Sequence, residues 1–253
     1  MSILAIIQAR ASSTRLPEKV LLPLLGKPML ERQIDRVKRS KRIDRIMVAT
    51  STNNSDDVID ELCQKIDISC FRGSLGDVLD RYYSAAKESR PEHVVRITGD
   101  CPVIDHEVID EVISLHLKSK ADYTSNTINP TYPDGLDVEV VKFTSLKEAW
   151  EKAELASERE HVTPYIKKQE KFKKANLENN EDLSSVRLTV DEQVDYDVIK
   201  FIYDSLFIKK NDFNLDDIMN LFRDNLDKMS LNQEIVRNEG YIKSLRDDYI
   251  ISK

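Results

Sequence analysis

The chain has 253 residues, 38 basic and 45 acidic side chains, and six glycines where average usage of about 7% would give roughly eighteen. The shortage excludes collagen-like and glycine-rich linker classes. No spacing of Gly26, Gly73, Gly76, Gly99, Gly135 and Gly240 fits G-x-G-x-x-G or G-x-x-x-x-G-K-[ST], and a formal net charge of −7 argues against a general nucleic-acid surface.

Ile3 to Ala9 is a short apolar run, as in a strand buried on both faces of a parallel sheet. No basic region precedes it and no later segment is long and apolar enough to span a bilayer, so the expectation is a soluble protein without membrane partners. Cys63, Cys70 and Cys101 are odd in number and lack C-x-x-C spacing, which points to buried reduced thiols in the cytoplasm. After a polar, basic segment from Arg10 to Lys19, a helix is expected over Pro28 to Val37 and a strand over Ile43 to Thr50. Ser55 can cap a helix with Asp56 and Asp57 in its first turn and a stripe of Val58, Ile59, Leu62, Cys63 and Ile66. A strand over Ser69 to Arg72, a helix over Asp77 to Lys87 and a strand over His93 to Thr98 follow. Beyond Gly99-Asp100-Cys101-Pro102, a further helix buries Val108, Ile109, Val112 and Ile113.

This alternation implies right-handed βαβ units and a mainly parallel α/β sheet. Ligands bind beyond the carboxyl ends of such strands, so the loops after Ala9, Thr50, Arg72 and Thr98 are the expected site. From Asp122 the rhythm changes. Leu136 to Val141 alternates like a strand with one wet face, and two helices follow, the second opened by the capping box Ser157-Glu-Arg-Glu160. Val186 to Val190 reads as a returning strand and Tyr196 to Phe207 as a helix. Residues 211–253 read as a charged helical extension.

Arg10, Arg15 and Lys19, with Ser12, Ser13 and Thr14, place three cations and three hydroxyls in ten positions after a buried strand. Guanidinium groups grip phosphate oxygens bidentately and a lysine serves as a movable point charge, so a triphosphate suits this loop. A merely solvated loop is the bland alternative. Asp100 and Asp191 end two strands; in one sheet they would meet and suit Mg²⁺, and otherwise they cap the helices that follow. Asp137 and Glu139 share one strand face, able to bind sugar hydroxyls, to act as base, or only to wet an edge strand. His93, His106 and His116 share no metal-ligand spacing and are read as structural.

Arg10-x-x-Ser13-x-Arg15-x-Pro17-x-Lys19, Phe71-Arg-Gly-Ser74, Asp77-Val-Leu-Asp-Arg-Tyr82, Ile97-Thr-Gly-Asp-Cys-Pro102, Tyr132-Pro-Asp-Gly-Leu-Asp-Val-Glu-Val140, Arg159-Glu-His-Val-Thr-Pro164 and Arg187-Leu-Thr-Val-Asp191 occur in this order. Together they resemble the CMP-sugar synthetases, the acylneuraminate and deoxyoctulosonate cytidylyltransferases. Asn238 to Leu245 resembles the SpsF branch, of spore-coat polysaccharide synthesis. The resemblance implies a three-layer, Rossmann-like nucleotidyltransferase domain over residues 1–253, with an acceptor-site and dimerisation subregion at 123–177. It implies transfer of CMP from CTP to the anomeric hydroxyl of a sugar acid, with Mg²⁺ as cofactor.

By the same resemblance Arg10, Ser13, Arg15, Lys19, Arg72 and Ser74 bind the nucleotide. Arg10, Lys19 and Asp100 act in catalysis, and Asp100 and Asp191 hold metal. Asp137, Glu139, Arg159 and His161 serve the acceptor. For Arg72 a surface ion pair with Asp77 or Asp80 is the alternative, and for His161 a cap or burial in the first turn of a helix. The chain departs from the sialic-acid type, which carries Asp-x-Asp where Thr189-Val-Asp191 stands, and lacks an acidic residue at Leu75-Gly76. Tyr132, Leu136, Phe143, Trp150, Tyr165 and Phe172 exceed what the nucleotide sheet needs, which fits the homodimer of relatives. Two other functions are compatible with the pattern: a nucleotide-sugar-dependent glycosyltransferase, because Asp137-x-Glu139 is similar to D-x-D, and a nucleotide-binding scaffold. The Arg/Lys loop suits a free triphosphate better than either.

Overall fold

The computed structural model describes residues 2–251. Strand β1 (Ile3–Gln8) is buried on both faces: Ile3, Ala5 and Ile7 enter one core and Leu4 and Ile6 the other, as period-two geometry requires. Each of the Ile and Leu side chains is worth about 1.5–3 kcal/mol of burial. A hairpin, β2 (Pro23–Leu24) and β3 (Lys27–Pro28), leads into α1 (Met29–Val37). Then come β4 (Arg45–Ser51), α2 (Asp57–Lys65), β5 (Ser69–Gly73), α3 (Val78–Lys87), β6 (His93–Thr98) and α4 (His106–Ser119). The later half holds β7 (Tyr123–Ser125), β8 (Glu139–Lys142), α5 (Phe143–Lys152), α6 (Ala156–His161), α7 (Pro164–Lys168) and β9 (Lys174–Asn176). Helices α8 (Gln193–Leu206), α9 (Leu215–Asp224), α10 (Leu226–Met229) and α11 (Glu239–Ile251) complete it; residues 252 and 253 of the expected helical extension lie outside the described residues.

The seven-stranded sheet runs β5-β4-β1-β6-β8-β7-β9. Strands β5, β4, β1 and β6 are parallel, β8 is antiparallel to both β6 and β7, and β9 is parallel to β7. One core is covered by α1, α2, α4, α8 and α9, the other by α3, α5 and α7, which makes three layers. The chain moves from β1 outward to β4 and β5, then returns to β6 on the other side of β1. The order therefore reverses between β1 and β6, where a crevice opens at the carboxyl ends.

Several expected details are corrected. Val186 to Val190 is an extended segment with a single bridge, Arg187 to Asp134, because Val190 N–H bonds to Asp100 C=O (2.8 Å) and Leu188 N–H to Asp134 C=O (2.6 Å), both in loops. The segment after Lys142 forms three helices, and the capping box at Ser157 is not made; Leu155 is the N-cap of α6, and the Ser157 N–H is met by Asp248 of α11 at 3.1 Å. Ser55 does not cap α2, and Val58 is exposed. Asp56 is buried, not at a wet helix start: it accepts from Ser51 N–H and Oγ–H and from Ala11 N–H (2.7 Å), pinning the loop after β1 to the end of β4. Glu139 is buried too, so β8 has no wet face. Tyr132, Leu136, Tyr165 and Phe172 are buried in the chain's own cores, and Phe143 and Trp150 stack on Tyr83. The apolar surplus of residues 123–177 is thus largely consumed internally.

Candidate active site

A cleft of about 610 Å³ opens at the reversal point. Its nucleotide-side wall is the loop after β1, with Arg10, Ser13, Arg15 and Lys19, and its floor includes Gly99 and Asp100 after β6. Gly99 is required by packing, not by backbone twist. A Cβ there would lie 2.8 Å from Gln8 C=O and 3.1 Å from Ala9 Cβ, so any side chain would wedge β1 and β6 apart.

Lys19 is the centre of the arrangement. Its Nζ lies 2.9 Å from Asp191 Oδ1, 3.3 Å from Asp100 Oδ2 and 2.7 Å from Val190 C=O. Burial works against its charge, but the two carboxylates outweigh burial and raise its pKa, so it stays an ammonium. Neither aspartate caps a helix: Asp105 caps α4 and Glu192 caps α8. Instead Asp191 is held by Arg187, whose NH2 lies 3.0 Å from Asp191 Oδ2, while its other donors bind Asp195 (2.9 Å) and Asp134 (2.9 Å). Burial raises the Asp191 pKa, yet Lys19, Arg15 and Arg187 overcome this and set it at about 2. Arg15 pairs with Asp191 (3.1 Å) and with Glu239 of α11 (2.8 Å), so the C-terminal helix meets the cationic loop across the mouth.

At the other end, Asp137 faces the cleft and pairs with Arg237 at 2.6 Å. Burial, aided by Asp134, Glu139 and Asp100 and opposed by Arg237, raises its carboxyl to about 7. Glu139, two residues on, is the opposite case. Its Oε1 accepts from Tyr123 (2.5 Å), Thr163 (2.6 Å) and Lys167 (3.0 Å), and its Oε2 from Arg96. Burial alone would raise its pKa, but Lys167 and Arg96, with these hydroxyls, hold it far below the usual carboxylate range. His161 also lines the cleft, in the last turn of α6, not the first. Its Nε2 is 3.0 Å from Ser244 Oγ, and burial lowers its pKa.

Three expected site residues do not line the cleft. Arg72 donates to Ser51 C=O and Asn53 C=O (both 3.0 Å) and pairs with Asp57 at 2.7 Å, not with Asp77 or Asp80. Ser74 Oγ accepts from Asp77 N–H at 3.0 Å. Arg159 is bidentate on Asp77 and donates to Trp150 C=O, which fixes α6 against α3.

A cytidylyltransferase family model matches residues 4–237. The chain belongs to the cytidylyltransferase family. It is 37% identical over 209 residues to the spore coat polysaccharide biosynthesis protein SpsF of Bacillus subtilis, covering 79% of this chain and 86% of SpsF. Its fold matches that of a cytidylyltransferase from Leptospira borgpetersenii with a TM-score of 0.86 at 33% identity, over 93% of this chain and 98% of the other. A CMP:2-keto-3-deoxy-manno-octonic acid synthetase complexed with CTP has a TM-score of 0.65 at 14% identity, over 81% and 99% of the two chains, a likeness of fold.

In this cytidylyltransferase the donor set at Asp100 and Asp191 consists of hard oxygens converging on one cation position, now held by Lys19. Among the described residues no group of three or more His, Cys, Asp or Glu side chains is arranged to hold a metal ion. Two carboxylates and no more fit Mg²⁺, which takes one or two and fills its octahedron with water and phosphate oxygens. No helix among the described residues is long and apolar enough to cross a membrane.

The structure also brings to the cleft or its flanking carboxylates residues that sequence reasoning passed over. Arg96 lies between the buried Val94-Val95 and Ile97 of β6, and a charge among these apolar residues was the signal for it. Arg187 stands in a motif noted only for its aspartate. Lys167 and Arg237 carried no signal, because their roles exist only once α7 and the segment before α11 fold over the cleft.

Proposed function

We propose that the enzyme transfers CMP from CTP to the anomeric hydroxyl of a sugar acid, of nonulosonic or deoxyoctulosonic type, for surface polysaccharide or glycan synthesis. The observation that carries this is the Lys19 ammonium lodged between Asp100 and Asp191 beyond the carboxyl end of β6, beside Arg10, Ser13 and Arg15. Attack at an α-phosphorus needs charge neutralisation and alignment, not a covalent nucleophile, and these side chains supply both. Asp100 and Asp191 would hold Mg²⁺. When bound, the ion would neutralise phosphate charge.

Arg10, Ser13, Arg15 and Lys19 bind the phosphates, and Asp137 takes the proton of the attacking hydroxyl. That oxygen bonds to the α-phosphorus, the bond to the bridging oxygen breaks, and pyrophosphate leaves. Arg72 and Ser74 frame the loop beside the base; Arg159 and His161 frame the acceptor end. We further place the enzyme in the cytoplasm as a homodimer joined through residues 123–177, where Ile128 and Leu155 remain exposed. Sedimentation at micromolar concentration tests the dimer. The activity is tested by incubating the enzyme with CTP, Mg²⁺ and a panel of nonulosonic, deoxyoctulosonic and phosphorylated sugars. Pyrophosphate release with an acid is expected, and sugar transfer from a nucleotide sugar without pyrophosphate would overturn the proposal.

A further inference from the structure

Glu139 is saturated, and this leaves charge to spare. Its two oxygens take Tyr123, Thr163, Lys167 and Arg96, so two cations share one buried carboxylate and one positive charge of this cluster is left over where it lines the cleft. Arg96 commits only NH1 to Glu139, its guanidinium carries five N–H donors, and its Nε is buried with no partner. A buried unpaired donor costs about 1–3 kcal/mol and calls for a ligand, a water or a function. Lys167 is fixed from behind as well, since its C=O accepts from Lys174 Nζ at 2.7 Å. If the cluster only stabilised the sheet, apolar residues would serve better, because buried charges pay heavily for desolvation. An acid anchored by two hydroxyls that holds an arginine fork and a lysine toward a cleft is a preorganised anion receptor.

Its place along the cleft follows from register. Strands β6 and β8 pair Arg96 with Glu139 in antiparallel order, so Asp137, two residues earlier, lies toward Asp100. An acceptor whose reacting hydroxyl sits at Asp137 therefore has its remainder over Arg96 and Lys167. We propose that Arg96 and Lys167, braced by Glu139, form a subsite for an anionic substituent of the acceptor, either a carboxylate or a phosphate ester. This rests on the CMP-transfer reading above.

The test measures steady-state pyrophosphate release by the full chain with CTP and three acceptor types: a sugar acid, the uncharged amide of that acid, and a neutral sugar bearing a phosphate ester. Wild type is compared with Lys167→Met, at the more exposed position, and with Arg96→Lys, which keeps a charge beside Glu139 but removes the fork. In both variants KM for the charged acceptor is expected to rise about tenfold or more, the equivalent of one lost charge-assisted contact. KM for CTP should stay within about twofold, and the preference for acid over amide should collapse. A merely structural role would lower kcat or folding stability without changing that preference.

Sensitivity confined to the phosphate ester supports the subsite while refuting the sugar-acid reading. Turnover of acids with unchanged KM in both variants refutes the subsite alone, and wild-type turnover of neutral sugars only refutes both.

Discussion

Lys19 Nζ and Asp191 Oδ1 lie 2.9 Å apart although 172 positions separate them in the chain. The contact joins the loop that follows the first strand to a segment held beside it by the Val190 N–H and the Thr189 hydroxyl, both donating to Asp100 C=O. Cation and acid thus meet where the proposed function puts the phosphates. Lys19→Met is therefore expected to lower kcat by about 10²–10³, the usual loss for one preorganised donor. Single-turnover pyrophosphate release checks it, with circular dichroism showing the fold retained. Turnover within a factor of two of wild type would remove Lys19 from the mechanism.

Asp100→Asn and Asp191→Asn each halve the carboxylate set proposed for Mg²⁺. The magnesium concentration giving half-maximal rate should rise about tenfold or more in each, because a hard dication loses one of two anionic ligands. Chelation should abolish wild-type activity and added Mg²⁺ restore it. A rate insensitive to chelator would exclude the metal role.

Asp137 should impose the acid limb of the pH profile. Burial and neighbouring carboxylates raise it to about 7, so the basic form needed to accept a proton accumulates only as pH rises through that value. The profile of kcat/KM should bend near pH 7, and the bend should vanish in Asp137→Asn. Arg237 lowers the Asp137 pKa, so Arg237→Gln should move the bend upward. A bend that stays in place in both variants would point to another base.

Gly135 stands at φ +107°, and a Cβ there would meet Leu188 C and Thr189 N at 2.5 Å. Neither backbone atom can yield without breaking the bridge between Asp134 and Arg187. Gly135→Ala should cost at least about 2 kcal/mol, measured as a shift of the urea midpoint.

His116 and His93 bond to each other through Nε2 and Nδ1 at 3.0 Å. Burial, then the nearby His93 and Lys142, lowers the His116 pKa from 6.5 to about 4. Between these values the unfolded chain binds the extra proton and the folded chain does not, so this contribution to stability is complete above about pH 6.5 and is lost as pH falls toward 4. Urea midpoints of His116→Gln should decline less steeply over that window than those of wild type. Parallel declines would exclude His116 as a source.

Much of the nucleotide half was legible because its signals are local. A strand buried on both faces reads as an uninterrupted apolar run, and the cations of the following loop lie within ten positions of one another. The acceptor half was not, because its groups take their character from distant partners. Asp137 and Glu139 share a face and a residue class, yet one is raised and the other depressed. What separates them is Arg237, from the segment before α11, on one side and Arg96 of β6 with Lys167 of α7 on the other. Asp56 likewise read as an acid in a helix's first turn, while the fold buries it as the tie between the loop after β1 and the end of β4.

Sequence by itself determined the α/β alternation, the family and the cationic loop, since periodicity and short motifs depend on neighbours along the chain. Only tertiary structure decided which carboxylate is raised and which is depressed, because a pKa is set by burial and by charges that the chain brings together from far apart.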